Sequence, residues 1–203
     1  MFAIETIVKD SLYAVKYEGE IDEFENNEFV EDEEPQDEFN RLFNNWQDPE
    51  YLDEFFNKNK KDLQGKFFKN ISIEDAIEKT IDEAYDFQQK ILSTAENGKK
   101  EFLQNLQSLF KPLNKREEII YPILNFQKSK AYGSKKSWLQ IYAIRIDKNI
   151  FFITGGAIKL TKTMNERKHT LKELKKLDKV KQFLISENII DNDSIVDFLE
   201  LNL

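Results

Sequence analysis

The sequence predicts an α+β protein: a helical N-terminal portion packed on a small antiparallel sheet, closed by a C-terminal helix. Three observations carry this. Apolar residues recur at helical spacing through most of residues 38–110. From 137 to 161 the pattern becomes strand-like and rich in β-branched and aromatic side chains. Behind a Thr-x-x-Glu sequence at 170–173 the helical period returns. The 203 residues are read as one domain, with 1–110 mainly helical and 111–203 holding the sheet and last helix.

The elements follow in order. Leu12-Tyr13-Ala14-Val15-Lys16-Tyr17 is a first strand. Residues 20–37 are acidic, carry Pro35 and few apolar anchors, and read as a loop. Phe39, Leu42, Phe43 and Trp46 share one helical face. Asp48-Pro49 stops that helix and starts the next, whose face is Tyr51, Leu52, Phe55 and Phe56. Ser72 caps the longest helix, marked by Ile73, Ile77, Ile81, Ala84, Gln88, Ile91, Leu92 and Ala95, with a left-handed stop expected at Asn97-Gly98. Phe102, Leu103, Leu106, Leu109 and Phe110 continue as another helix, which Pro112 ends. Residues 119–126 are strand-like, but Pro122 makes them an edge strand or loop.

Residues 127–136 read as a basic loop with one aromatic. Trp138 to Ile146 and Ile150 to Thr154, joined by Asp147-Lys148-Asn149, make an antiparallel hairpin. Gly155-Gly156 interrupts the second strand as at a bulge, and residues 157–161 resume it. Thr170 and Glu173 form a capping box for a helix whose face is Leu171, Leu174, Leu177, Val180, Phe183 and Leu184. A short helix with Ile195, Val196 and Leu199 ends the chain.

Composition narrows the function. The chain has no cysteine, which excludes disulfides and thiolate chemistry and suits a reducing cytoplasm. No leader pattern and no membrane span is evident, so no membrane partner is expected. One histidine and no calcium-loop order leave metal binding and cofactors unexpected. No G-x-S-x-G elbow precedes His169, and no phosphate loop surrounds Gly155-Gly156. Net charge is −8, yet it is segregated: residues 18–54 are acidic apart from Arg41, and 128–181 are mostly basic. A polyanion-facing surface in the C-terminal half is one reading, and two solvated faces is the other.

A cation-rich sheet face beside a helix start would make a phosphate site. Arg145, Lys159 and Arg167 are its candidates, stabilising charge as a 2′-hydroxyl attacks phosphorus. His169 is the candidate general acid or base, or else a surface residue at a helix start. Lys128, Lys130, Tyr132, Lys135, Lys136 and Lys162 would hold RNA. Trp138 is open to base stacking or burial.

The stretch IFFITGGAIKLTKTM with TLKELKKL behind it resembles the late strand and helix of the RelE/ParE toxin superfamily, especially its HigB and phage branch. There Gly156 matches the family glycine and Lys159 the first of two lysines, while Leu160 replaces the second and Ala157 an aromatic. WLQIYAIRI resembles the preceding strand, with Arg145 as its cation, and LFKPL the loop before the meander. The resemblance spans about residues 109–185, with the strand at 12–17 as a first strand. It implies a metal-independent endoribonuclease that cuts messenger RNA on the ribosome and is neutralised by an antitoxin, here a helix-turn-helix protein. The alternative is a non-enzymatic protein that docks RNA or an acidic partner on its basic C-terminal face. The acidic segment 20–38 is a further candidate, as a mask over that face.

Overall fold

The computed structural model describes residues 2–17, 36–65, 68, 71–100, 104–113, 127–134, 136–162 and 166–201. Most of the acidic loop, the stretch 119–126 and Lys135 lie outside the described residues.

The fold is α+β, and its sheet is mixed. The strands are β1 (Phe2–Val8), β2 (Leu12–Tyr17), β3 (Lys111–Pro112), β4 (Gln127–Tyr132), β5 (Leu139–Asp147) and β6 (Ile150–Ile158), in spatial order β1-β2-β6-β5-β4-β3. The expected hairpin is β5–β6, and β4 and β3 extend it as an antiparallel meander. The N-terminal hairpin β1–β2 joins on the other side of β6, with β2 parallel to β6, so the sheet is not antiparallel throughout. Residues 155–158 form one strand with 150–154 rather than a separate one. The glycines do mark a bulge: pairing shifts between Tyr142/Gly155 and Ala143/Ile153, leaving Thr154 extra.

Both faces of the sheet are covered. On one lie α1 (Glu38–Gln47), α2 (Pro49–Lys58), α3 (Lys60–Leu63), α4 (Ile73–Asn97) and α5 (Leu106–Leu109), packed on Leu12, Ala14, Ile141, Phe151 and Ile153. On the other lie α6 (Lys168–Ser186) and α7 (Asn192–Leu201), packed on Tyr13, Val15, Ile144, Ile146 and Phe152. Apolar residues on both sides of β5 and β6 explain why their runs lack the clean alternation of a half-exposed strand.

The caps follow the sequence. Asp48 Oδ1 accepts from the Glu50 amide at 2.8 Å with Pro49 at the first position, and Ser72 Oγ accepts from the Asp75 amide at 3.0 Å. The inner stripe of α4 is Ala76, Thr80, Ala84, Phe87, Ile91 and Ala95, a small rotation from the isoleucine stripe that the spacing predicts. The small residues let the backbone approach, and Ile73, Ile77 and Ile81 flank the contact half-buried.

Four local expectations are corrected. Gly98 is right-handed, φ −61°. Glycine is needed there because a side chain would collide with Asn149, which bonds the Leu106 amide at 2.9 Å and Ser11 Oγ at 2.8 Å. Of the helix expected from Phe102 through Phe110, Phe102 and Leu103 lie outside the described residues; the rest holds a single turn, capped by Asn105 Oδ1 on the Gln107 amide at 3.0 Å, with β3 starting after Phe110. Residues 127–132, expected as loop, are β4. The capping box at 170–173 does not form: α6 starts earlier, Thr170 Oγ1 donates to the Arg167 carbonyl at 3.0 Å, and Glu173 turns into the protein.

Trp138 belongs to the core. It is fully buried, its Nε1–H donates to Thr80 Oγ1 at 3.0 Å, and its ring meets Phe56 and Phe68 edge-on at 5.6 and 5.1 Å.

Candidate functional site

The four residues expected to form one phosphate site do not converge. Leu139 pairs with Ile158 and Arg145 with Phe151, so Arg145 and Lys159 lie at opposite ends of the hairpin, roughly 20 Å apart at ~3.3 Å per residue. Arg145 Nε donates to the Asp147 carbonyl at 3.3 Å, within the hairpin turn. Arg167 grips Asp62 of α3 with Nε and a terminal nitrogen and holds its carboxyl below the ordinary range; a third nitrogen donates to the Glu166 carbonyl at 2.7 Å. His169 packs edge-on against Phe55 at 5.6 Å, and its Nε2–H donates to the Ile158 carbonyl at 3.3 Å.

Burial lowers the His169 pKa, so the ring is neutral in the folded protein at pH 7. The sign of the pH dependence follows. Below the ordinary histidine range of about 6.5 the unfolded chain takes up a proton that the folded chain resists, so stability falls as pH drops. Urea titrations at pH 7.5 and 5.5 isolate this loss by difference: relative to the wild type, His169→Gln should gain stability at the lower pH.

Other predicted residues do assemble. Strand β4 alternates, with Ser129 and Ala131 buried on one side. Lys128, Lys130 and Tyr132 project to the other, opposite Ile144, Tyr142 and Gln140 of β5. Lys128 pairs with Asp178 of α6, which fixes the helix beside this row. Lys130 Nζ sits 5.6 Å from the Tyr132 ring centre, and Tyr132 is 37% exposed. Lys159, just past β6, is near enough for Lys130 to depress its pKa, burial being the larger cause. Its Nζ donates to the carbonyl of Lys162, which brings Lys162 to the same rim. Lys136 is exposed on the turn leading from β4 to β5.

Helix α6 borders this rim with six lysines against two carboxylates. Helix α4, on the far side of the sheet, has seven carboxylates against two lysines. These two oppositely charged helices therefore lie on opposite faces of the sheet.

A second polar cluster lies where β2 and β6 part. They pair only over Leu12–Ala14 and Phe151–Ile153; beyond that Tyr17 Oη reaches across to the Thr154 carbonyl at 2.7 Å. The next described helix after β2 is α1 on one face, and after β6 it is α6 on the other. Such divergence at the carboxyl ends of parallel strands opens a crevice. Here four side chains fill it. Glu38 Oε1 and Oε2 accept from Arg41 Nε and a terminal nitrogen at 2.9 and 2.8 Å. Lys176 Nζ of α6 donates to Glu38 Oε2 at 3.2 Å and stands 3.3 Å from Glu173 Oε1. Glu173 Oε2 is buried with no partner among the described residues.

Burial would raise the Glu38 carboxyl, but Arg41 and Lys176 outweigh it and hold it at about 2. For Glu173 burial wins and the carboxyl is raised. Gly155 is required at the centre: a side-chain carbon there would overlap Glu173 Oε2 and lie 3.3 Å from Glu38 Oε2. Sequence reasoning missed this cluster because Glu173 matched a capping pattern and Glu38 fell within the acidic segment 20–38. The signal that could have found it was Thr170, Glu173 and Lys176 standing in phase with the apolar stripe Leu177, Val180 and Leu184.

Fold and site together define an α+β protein with a split mixed sheet, a lysine-rich helix on one face and an acidic helix on the other. Comparison with protein-family models, with curated proteins and with solved structures found no match. Among the described residues no helix is long and apolar enough to cross a membrane.

Proposed function

We propose that this chain is a binding protein that holds single-stranded RNA on the rim formed by β4, the end of β6 and α6. One observation supports it above the rest: Lys130 lies against the ring of an exposed Tyr132, with Lys159 within reach of its charge. Paired cations attract a phosphate backbone, and an accessible aromatic ring offers a face for an unpaired base. The basic face of α6 extends the attraction. A cytoplasmic setting, which the lack of cysteine suits, fits such a ligand.

Cleavage of messenger RNA, as the RelE/ParE resemblance implies, asks more of the site. It needs Arg145, Lys159 and Arg167 on one phosphate, whereas Arg145 is at the far end of the hairpin and Arg167 is held by Asp62. Neutral His169 donates its ring proton to a carbonyl. These positions favour holding RNA over cutting it.

Fluorescence anisotropy with a labelled 12-nucleotide RNA tests the reading. The wild type should bind at low salt, and Lys130→Glu with Lys159→Glu should weaken binding at least about tenfold. Arg145→Glu should leave it nearly unchanged. The RNA should stay intact in the presence of a chelator. Chelator-resistant scission lost in Lys159→Ala would establish the nuclease reading instead. Capture of poly-glutamate but not RNA would replace RNA with an acidic protein partner.

A further inference from the structure

We propose that Glu38 and Glu173 hold a single proton between them in the folded protein, so that the contact of α1 with α6 through the parted sheet is a proton-dependent latch. This goes beyond the RNA-binding reading and does not rest on it.

Arg41 spends two nitrogens of its fork on Glu38. Lys176 divides one ammonium between Glu38 Oε2 and Glu173 Oε1. Among the described residues no donor bonds Glu173 Oε2, although Glu173 is only 5% exposed. A bare oxygen on a buried carboxylate carries the full cost of lost hydration. A proton on that oxygen removes the charge and turns an unsatisfied acceptor into a donor. The nearest carboxylate is Glu38: a side-chain carbon on Gly155 would stand 1.8 Å from Glu173 Oε2 and 3.3 Å from Glu38 Oε2, so the two oxygens are at most about 5 Å apart.

The remaining neighbours agree. From β2 the Tyr17 ring lies under Lys176 Nζ at 5.1 Å, with its hydroxyl donated to Thr154. From β5 the Tyr142 hydroxyl is donated to Gln140 Oε1 at 2.9 Å. Neither hydroxyl proton is directed at Glu173. From β6 the cluster meets Gly155, which brings no side chain. Among the charged groups facing Glu173, Lys176 and Arg41 oppose its protonation, and Glu38 with burial favours it; burial is the largest influence. Two carboxyl groups whose surroundings drive them in opposite directions behave as a pair with one shared proton.

The sign follows from proton counting. Above the ordinary glutamate range the unfolded chain has released both protons, while the folded chain keeps one. Folding then takes up a proton, and the unfolding constant rises by up to tenfold per pH unit until the latch itself ionises. In that alkaline limit the pair carries two negative charges, and the union of α1 with α6 weakens.

The test uses the whole chain labelled with 13C at glutamate δ-carbons. In the wild type one resonance is expected to titrate well above the others, and it should vanish in Glu173→Gln. Relative to the wild type, that variant should also gain stability as pH rises from 5 to 8, because its amide donates to Glu38 without needing a proton. The proposal is overturned if every glutamate of the folded wild type titrates in the ordinary range, or if Glu173→Gln keeps the wild-type pH slope. Should the variant not fold, the wild-type titration alone decides.

Discussion

Lys176→Met is expected to lower folding stability by about 3–5 kcal/mol, the usual cost of stripping one partner from a buried ionic cluster. Among the described residues Lys176 is the one cation that touches both carboxylates of the crevice, and its side chain is 8% exposed. Methionine keeps most of the stem, so the loss measures the ammonium and not the packing. Without it Glu38 retains Arg41, but Glu38 Oε2 and Glu173 Oε1 both lose the ammonium that lies against them. Urea unfolding measures the change. Replacing Glu38, Arg41 and Glu173 by leucine together with Lys176→Met should recover much of the loss, because a wholly apolar crevice leaves no charge unpaired. A single substitution costing less than about 1 kcal/mol would mean that water reaches the cluster and compensates.

Trp138→Ala is the second large effect, at about 3–5 kcal/mol for removing a buried aromatic from a packed site. The residue bridges three parts of the molecule: Phe56 of α2, Thr80 of α4, and the start of β5, where the Trp138 carbonyl accepts from the Lys159 amide at 2.8 Å. Lys79 lies over the ring at 4.2 Å, closing the side nearest solvent. Thr80→Val isolates the hydrogen bond. It should cost about 1–3 kcal/mol, since the indole N–H then stays buried without an acceptor. Both tryptophans are buried, so RNA binding should leave tryptophan emission nearly unchanged. A strong quench on binding would place Trp138 at the ligand and reverse this assignment.

How much could be read from the sequence divides along one physical line. Elements whose side chains have a single job were legible: Phe39, Leu42, Phe43 and Trp46 only pack, and Ser72 and Asp48 only cap. Elements built from small or mixed residues were not. Strand β4 hides Ser129 and Ala131 on its inner side, too little apolar surface to declare a period of two. Strand β1, with Ile4 and Val8 buried, shows only two core residues in seven. Partners far apart in sequence were beyond reach as well. Nothing local announces that Glu38 meets Lys176, or that Asp62 meets Arg167.

The candidate site divides in the same way. Lys130 and Tyr132, singled out for charge and for an aromatic face, lie side by side, and Lys159 is tied to Lys162. Arg145 and Arg167 were found by the same rule and are elsewhere, because charge gives no register. Glu173 was assigned a helix-cap role that its inward turn denies it. A glutamate and a lysine three apart, in phase with leucines on a sheet-packed helix, mark a buried ion pair more reliably than a cap pattern alone.

The salt dependence of RNA binding tests the central claim most directly. Affinity for a 12-nucleotide RNA, measured between 50 and 200 mM salt, should fall with a slope of about −2 if three phosphates are neutralised at ~0.7 each. Lys130→Gln with Lys159→Gln should flatten that slope by about 1.4, because two of those three phosphates then keep their counterions. A wild-type affinity indifferent to salt, or a double variant whose slope matches it, would contradict a phosphate-binding rim at β4 and α6.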